Sequence, residues 1–583
     1  VVDELSRRSF LKAGGASLAF AGGLGSATVV GASDEVEWHR TTDVLVCGSG
    51  GAGASAAIFA HDGGAKVTII EKASVFGGTT SKSGCYVWIP NNFEMQRLGM
   101  EDKKDDFLKY TAHYSYPKTF DPKHPTLGLH QNTYDLLSTY YDNANRMVES
   151  LMAKDAIDYE IARLGGSEAP LANDYFEHSA YNKASRGRSL APVGLDTGAG
   201  GGSNVMAQML LSIEERGIDI LLRHRASELI INRAREVVGL KVSGPNGKPI
   251  NIRARKGVIF GTGCYSHNAE YLQKFQNDPI FGSCALPTCT GDFISIAAGV
   301  GAQLGNMTGA WRGQIVLEDS IDYVSVPHDV YWPAGNSMFL VNKYGKRCTN
   351  ERRNYHDRTK SLYNFDANKA EYPDLLTFYI CDQRTADLYG GHLPLPGPGQ
   401  TFSHLIEGSS LSELSTNIDR RLQKLKASTG GVRLDPSFEA NIQETLQRYN
   451  RMAKAGRDKD FGRGDFEYDV DWFNYLKPHS SQKWEKGNPK NITLHPMLED
   501  GPYYAVILAP GTLGTNGGPV INRHGQVWDY EDRVIEGLYG AGNCIASPAA
   551  DSYWAGGATI GSAMTFGMLA GEHAAASAVK ELA

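Results

Sequence analysis

Residues 44–72 read VLVCGSGGAGASAAIFAHDGGAKVTIIEK, and this stretch decides the fold. Four apolar residues, 44–47, have the length and character of a buried strand. Gly48, Gly50 and Gly53 then form G-x-G-x-x-G. Residues 54–60 are Ala-rich and predict a helix packed close to that strand. A second apolar run, 67–70, ends at Glu71. The glycines let the backbone turn tightly and come near a pyrophosphate, and the helix N-terminus offers unpaired N–H groups and a positive dipole end. Glu71 is placed to accept hydrogen bonds from a ribose diol. A lone G-x-G-x-x-G also fits a Gly-rich turn in an ordinary βαβ unit. Here strand, helix, second strand and terminal acid stand in register, so the stretch is read as a dinucleotide-binding unit.

Working outward, the 583-residue chain is too long for one simple domain. With 41% hydrophobic residues it can bury a large core. A net charge of −7 is small for this length and gives no sign of a nucleic-acid partner. The 66 glycines exceed an average usage of about 7%, which suits backbone drawn close to a large cofactor. Eight cysteines are scattered. Cys284 and Cys289, at C-x4-C, are the closest pair, and no second pair completes a zinc site, so no metal is expected. Buried free thiols are the preferred reading, and a Cys284–Cys289 disulfide in an exported protein is the competing one.

Ser6-Arg7-Arg8-Ser9-Phe10-Leu11-Lys12 is a twin-arginine pattern. A mildly apolar Gly/Ala-rich stretch, 13–31, follows, and Val30-Gly31-Ala32 fits a small-residue cleavage site. So many glycines make that stretch a poor membrane-spanning helix. Residues 1–32 are therefore expected to be a twin-arginine export signal. The mature chain would start near Ser33 and reside in the periplasm or another extracytoplasmic space.

A second group of glycine signals lies near the other end. Gly537-Leu-Tyr-Gly-Ala-Gly-Asn543 reads as a strand running into a turn. Gly556-Gly-Ala-Thr-Ile-Gly561 leads into a small-residue helix over 562–575. Set beside residues 44–72, they suggest that the chain returns to close the dinucleotide domain. Between the ends, Lys256-Gly-Val-Ile-Phe-Gly-Thr-Gly263 is another strand ending in glycines. Asn342-Lys-Tyr-Gly-Lys-Arg347 reads as a hairpin turn between strands, and residues 384–460 are more polar and helix-rich.

With these residues in hand, the chain resembles the flavoproteins related to fumarate reductase, and within that group the 3-ketosteroid Δ1-dehydrogenases. The resemblance covers almost everything after residue 40. It is carried by Phe76-Gly-Gly-Thr-Thr-Ser-Lys-Ser-Gly84, Val87-Trp-Ile-Pro-Asn-Asn92, Asp174-Tyr-Phe-Glu177 and Gly261-Thr-Gly-Cys-Tyr-Ser-His-Asn268. Asn350-Glu351 with Tyr355, Pro510-Gly-Thr-Leu-Gly-Thr-Asn-Gly-Gly518 and Tyr553 with Gly557-Ala-Thr-Ile-Gly561 extend it. It implies an α/β fold with an α+β insertion: a Rossmann-like FAD domain from both chain ends (33–305 and 513–583) and an inserted catalytic, capping domain (306–512). It also implies noncovalent FAD. Gly48, Gly50, Gly53, Glu71 and Lys72 would lie near the adenosine, with Ala226 touching adenine through its backbone. Gly78, Thr79, Thr80 and Gly84 would follow the pyrophosphate and ribityl chain. Gly542, Asn543, Thr559 and Ile560 would surround the flavin side.

The reaction so implied removes two hydrogens from adjacent carbons beside a ketone, most simply a 3-ketosteroid. A carbonyl must be polarised, a base must take a proton, and the flavin must accept hydride. The resemblance assigns the carbonyl to the Tyr553 hydroxyl and the Gly557 N–H, an oxyanion-hole arrangement. It assigns the base to Tyr355, supported by Tyr175. A phenol with a free pKa near 10 needs help to act as a base at neutral pH, and Arg352 and Arg353 could favour its phenolate. These arginines, and Arg312, also depart from the family pattern. They would suit a carboxylate or sulfate on the substrate, and a solvated charged face is the preferred reading. Three alternatives stay open: a fumarate-reductase-like reductase of unsaturated carboxylates, the same scaffold run in reverse on an enone, and an FAD-binding electron carrier. Residues 549–561 contain no arginine, which argues against fumarate itself. For an exported protein the electron acceptor would be a quinone or a periplasmic carrier, and the partners would include the twin-arginine export machinery.

Overall fold

A computed structural model describes residues 28–29, 36–195, 201–327, 329–479, 483–485 and 487–582. The expected export signal therefore lies outside the described residues, except for Thr28 and Val29. No helix among the described residues is long and apolar enough to cross a membrane. The chain divides into two units. One comprises Ala19–Asn277, Ala285–Trp311 and Gly514–Ala583; the other comprises Asp278–Cys284 and Arg312–Leu513.

The first unit grows from the quoted stretch. The apolar run becomes the strand Arg40–Cys47, the Ala-rich run the helix Gly51–Asp62, and the second apolar run the strand Val67–Glu71. Both strands bury their apolar residues completely, as parallel strands covered on two faces do. They pair in parallel, Val44 opposite Val67 through Cys47 opposite Ile70. Asp219–Leu222 extends the sheet beyond Val67–Glu71. On the other side Arg40–Cys47 pairs in parallel with Pro249–Phe260, which pairs in parallel with Val534–Gly540. Val237–Ser243 and Arg225–Ile231 continue antiparallel, and Thr28–Val29 adds a short edge. Two distant parts of the chain thus flank one strand, as the returning glycine signals predict.

Small residues explain how the second end docks. The helix Ala558–Ala576 packs along Gly51–Asp62. A Cβ on Gly567 would lie 2.4 Å from the Ala52 carbonyl oxygen, and one on Gly571 2.4 Å from that of Ala56. Ser55 donates to the Met564 carbonyl at 2.8 Å. Only residues without a side chain allow that approach.

The second unit is built on a sheet in the order Ala310–Val316, Tyr503–Thr515, Thr377–Asp382, Met338–Val341, with Ile406–Gly408 also on Tyr503–Thr515. Alternation along Thr377–Asp382 makes two cores. Phe378 and Ile380 face the helices Leu411–Lys424 and Phe438–Ala455, meeting Leu414, Ile418 and Ile442. Tyr379 and Cys381 face the opposite way, toward Tyr331, Leu388 and Phe473. Two expectations are adjusted. The turn at Asn342–Arg347 forms, with the Asn342 N–H donating to the Lys346 carbonyl at 2.9 Å, but its return arm is a single bridge, Val341 to Arg347. This unit also takes in Asp278–Cys284, which the expected boundaries place in the FAD domain. Phe281 and Cys284 donate their N–H groups to Pro510 and Thr512, each at 2.9 Å, and this long-range pairing carries the segment across.

Candidate active site

In the first unit the glycine loop turns as tightly as its spacing predicts. Gly48 has φ +99°, and a Cβ there would lie 2.5 Å from the Gly261 carbonyl oxygen; one on Gly53 would lie 1.9 Å from that of Gly48. These two positions are glycine because backbone passes backbone. Gly50 differs, since a Cβ there would meet nothing nearer than Thr80 Oγ1 at 3.5 Å. The helix Gly51–Asp62 begins without a side-chain cap. That open cradle, at a helix N-terminus to which Gly50 itself offers no cap, fits a pyrophosphate. Gly51 donates its N–H to Thr80 Oγ1 at 3.1 Å, and Gly78 Cα-side space abuts Gly50, drawing the 78–80 segment alongside.

Glu71 is buried at its strand end. One carboxylate oxygen accepts from the Ser49 N–H and hydroxyl, both at 2.9 Å, and the other from the Ala73 N–H at 2.8 Å. The second oxygen keeps a lone-pair site for a diol. Lys72 is engaged elsewhere: its Nζ donates to Thr290 at 2.7 Å and to Asp292 at 3.0 Å. Arg225 also pairs with Asp292, at 2.8 Å. Burial opposes ionisation of Asp292, but Lys72 and Arg225 outweigh it and hold the carboxyl below its ordinary range. Thr79 Oγ1 accepts from the Leu286 N–H at 3.1 Å and contacts Cys289 Sγ at 3.4 Å. Gly542, at φ +78°, packs against Ala52, and Asn543 Oδ1 accepts from Trp311 Nε1 at 3.1 Å. Gly84 is exposed beside the Tyr86 ring, Ala226 is buried on Arg225–Ile231, and Thr559 and Ile560 are half-buried in the first turn of Ala558–Ala576. The described cysteines are free thiols, as the preferred reading expects, and Cys289 hydrogen-bonds Cys264.

Three of the four expected catalytic residues share this unit. Tyr175 and Tyr553 are buried and meet edge to face, ring centres 5.3 Å apart, while Trp311 lies 5.0 Å from Tyr553. Tyr175 donates its N–H to the Trp554 carbonyl at 2.9 Å, tying the two segments together. Gly557 has φ +96°, and a Cβ there would press on the Tyr86–Val87 backbone at 2.6 Å. It heads the 19-residue helix Ala558–Ala576. Its N–H donates to no group among the described residues. Behind Tyr175 a buried ion network went unread in the sequence: Arg188 joins Asp102 at 2.7 Å and Asp174 at 2.6 Å, and Trp88 donates to Asp174 at 2.7 Å. Spacing gives no hint of it, since its members lie far apart in the chain.

Tyr355 belongs to the other unit. It opens the helix Tyr355–Lys360, whose cap Asn354 accepts from the Asp357 N–H at 2.9 Å. The ring is buried and meets Trp332 edge to face at 5.5 Å. The neighbouring arginines correct the sequence reading, because they do not form a solvated face. Arg352 is buried, donates to the carbonyls of Pro333 and Gly335, and lies over the Phe473 ring at 4.8 Å. Arg358 is buried too, donating to Gln314 at 2.7 Å and to the Glu351, Arg353 and Tyr331 carbonyls. Arg353 pairs with Asp469 at 3.3 Å and lies over Phe466 at 4.6 Å. Arg312 is buried, with Asp278 at 3.8 Å. Inward-turned carbonyls accept from Arg352 Nη1 and Nη2 and from Arg358, a pattern that composition does not reveal. Burial, with Arg463 nearby, pulls Arg352 down to about 10, still charged at neutral pH. Tyr331, Trp332, Arg352, Arg353, Tyr355 and Trp472 line a cleft in this unit.

The family described as FAD binding domain matches residues 43–560. The 3-oxosteroid 1-dehydrogenase of Mycolicibacterium smegmatis is 30% identical, over 92% of this chain and 97% of that protein. The 4-oxocyclohexanecarboxylate 2-dehydrogenase of Sinomonas cyclohexanicum is 27% identical, over 93% of this chain and 94% of that protein. A crystal structure of 3-ketosteroid delta1-dehydrogenase from Sterolibacterium denitrificans, in complex with 1,4-androstadiene-3,17-dione, superposes with a TM-score of 0.75 at 25% identity. It covers 92% of this chain and 100% of that one.

Proposed function

We infer that this chain, which belongs to the FAD binding domain family and is an FAD-dependent oxidoreductase, desaturates a carbon–carbon bond next to a ketone. Bound FAD supplies the acceptor for hydride. The carbonyl oxygen of the substrate takes hydrogen bonds from the Tyr553 hydroxyl and the Gly557 N–H. Enolate charge then develops at the head of Ala558–Ala576, where the helix dipole favours it. Tyr355 removes the proton from the carbon beside the carbonyl. The buried charge of Arg352 and Arg358, which line the same cleft, favours its phenolate. Tyr175 packs on Tyr553 and supports its orientation.

The observation that carries this reading is the uncommitted Gly557 N–H at a helix head beside a buried tyrosine pair. A 3-oxosteroid is the substrate favoured by the steroid dehydrogenases among the relatives. The test is anaerobic bleaching of the flavin by 3-ketosteroids. No bleaching by any ketone, with reoxidation of reduced flavin by an enone, would reverse the direction. We further propose export through the twin-arginine pattern at residues 6–12, with a quinone or extracytoplasmic carrier as electron acceptor. Intact mass of the exported protein checks cleavage near Ser33.

A further inference from the structure

The two donors of the proposed oxyanion hole are held in different ways. Tyr553 is packed by the rings around it, with Tyr175 at 5.3 Å and Trp311 at 5.0 Å between centres. Gly557 has no side chain to hold it, and the residue before it is Gly556. Two adjacent glycines are the loosest dipeptide a chain can carry. An N–H on them serves a developing enolate only when something else removes that freedom. The Gly556 carbonyl and the Gly557 N–H belong to one planar trans peptide, so its oxygen and its hydrogen point in opposite directions. Whatever fixes the Gly556 oxygen therefore aims the Gly557 N–H. The Ser189 hydroxyl does this, donating to the Gly556 carbonyl at 3.1 Å. The peptide on the other side of Gly557 is fixed too, because the Trp88 N–H donates to the Gly557 carbonyl at 3.1 Å. Ser189 and Trp88 stand opposite each other where Val87–Trp88 pairs antiparallel with Ser189–Pro192. One cross-strand pair thus grips Gly557 by both of its peptides. The pair is itself anchored. Ser189 is buried, and its carbonyl accepts from the Ala162 N–H at 3.0 Å. Arg188, one residue earlier, is buried between Asp102 and Asp174, and the same Asp174 accepts from the Trp88 indole at 2.7 Å. Both strands of the clamp are tied to one carboxylate.

We propose that Ser189 is a positioning residue for the reaction: by donating to the Gly556 carbonyl, it aims the Gly557 N–H at the substrate oxygen. The same hydrogen bond polarises the peptide and strengthens its N–H as a donor. The proposal rests on the desaturase reading and deepens it by naming what holds the second oxyanion donor in place. A hydroxyl that only satisfied a buried carbonyl would contribute to stability and leave the chemical step alone.

Ser189→Ala and Ser189→Cys holoenzymes are compared with the native one on a 3-ketosteroid, with turnover counted per bound flavin. Ser189→Ala should lower kcat about tenfold, less than the ~10²–10³ of deleting a donor outright, and leave KM within about twofold. Ser189→Cys, a weaker donor of similar size, should fall between the two. A loss confined to melting temperature or flavin content, with native kcat per flavin in both variants, would overturn the proposal and leave the desaturase reading intact. If Ser189→Ala does not hold flavin, Ser189→Cys decides on the same terms. A second readout needs no turnover. The oxygen of 4-cyanophenol copies an enolate oxygen on a ring, and its binding is followed by the absorbance of the oxidised flavin. Ser189→Ala should weaken that binding about threefold or more. If no ketone bleaches the native flavin, the desaturase reading fails, and the phenol alone decides. Weaker binding in Ser189→Ala then supports the positioning role, whereas equal affinity, or no binding to the native enzyme, overturns it.

Discussion

At the scale of single residues, the proposed oxyanion hole makes the sharpest predictions. Tyr553→Phe should lower turnover by ~10²–10³ while the protein stays yellow, because it deletes one donor to the developing enolate. Tyr355→Phe should lower it by ~10²–10⁴, the range of a lost general base, with flavin again retained. Near-native turnover in either, measured under saturating ketone, would remove that tyrosine from the reaction. Glu71 belongs to binding instead. Glu71→Gln keeps the shape but loses the charge that Ser49 and Ala73 now serve, and FAD affinity should fall about tenfold, read by flavin release on dilution. Asp292 carries a pH signature. Its folded pKa lies below the ordinary value, so its stabilising contribution is present above about pH 4 and is lost as pH falls through the folded value. Asp292→Asn should therefore flatten the acid limb of a melting-temperature profile and leave the slope above pH 6 unchanged.

At the scale of elements, the contact between Gly51–Asp62 and Ala558–Ala576 tolerates no added volume. Gly567→Ala would push a methyl into the Ala52 carbonyl and should cost roughly 1–3 kcal/mol, read as a lower midpoint in urea with the slope unchanged. These helices and strands were legible in the sequence because local pattern specifies them: an apolar run for each strand, small residues for the helices, glycines where backbones cross. What was illegible had no local pattern. Asp278–Cys284 joins the inserted unit through backbone bonds to Pro510 and Thr512, residues far along the chain. Arg352 reads as a surface charge because arginine usually is one, yet the carbonyls that accept from it, of Pro333 and Gly335, come from backbone that sequence does not aim. The tight turn at Gly48 and Gly53 and the strand end at Glu71 were legible from motif. The Arg188 network required coordinates.

At the scale of the whole molecule, the strand Pro249–Phe260 is where the two ends of the cofactor unit become one sheet. Val258, Ile259 and Phe260 pair with Arg40–Cys47 on one edge and with Leu538, Tyr539 and Gly540 on the other. The second edge is made by residues synthesised almost three hundred positions later. Until they emerge from the ribosome, a fully apolar strand edge has no partner, and such an edge recruits other chains. Closure over so long a separation is also slow. A chain ended after residue 530 should accordingly be colourless and aggregate, and supplying 531–583 as a separate peptide should restore soluble yellow protein. Birth order thus makes flavin capture a late event: the cradle at Gly50 is translated first, yet the Gly542 wall arrives with the last tenth of the polypeptide.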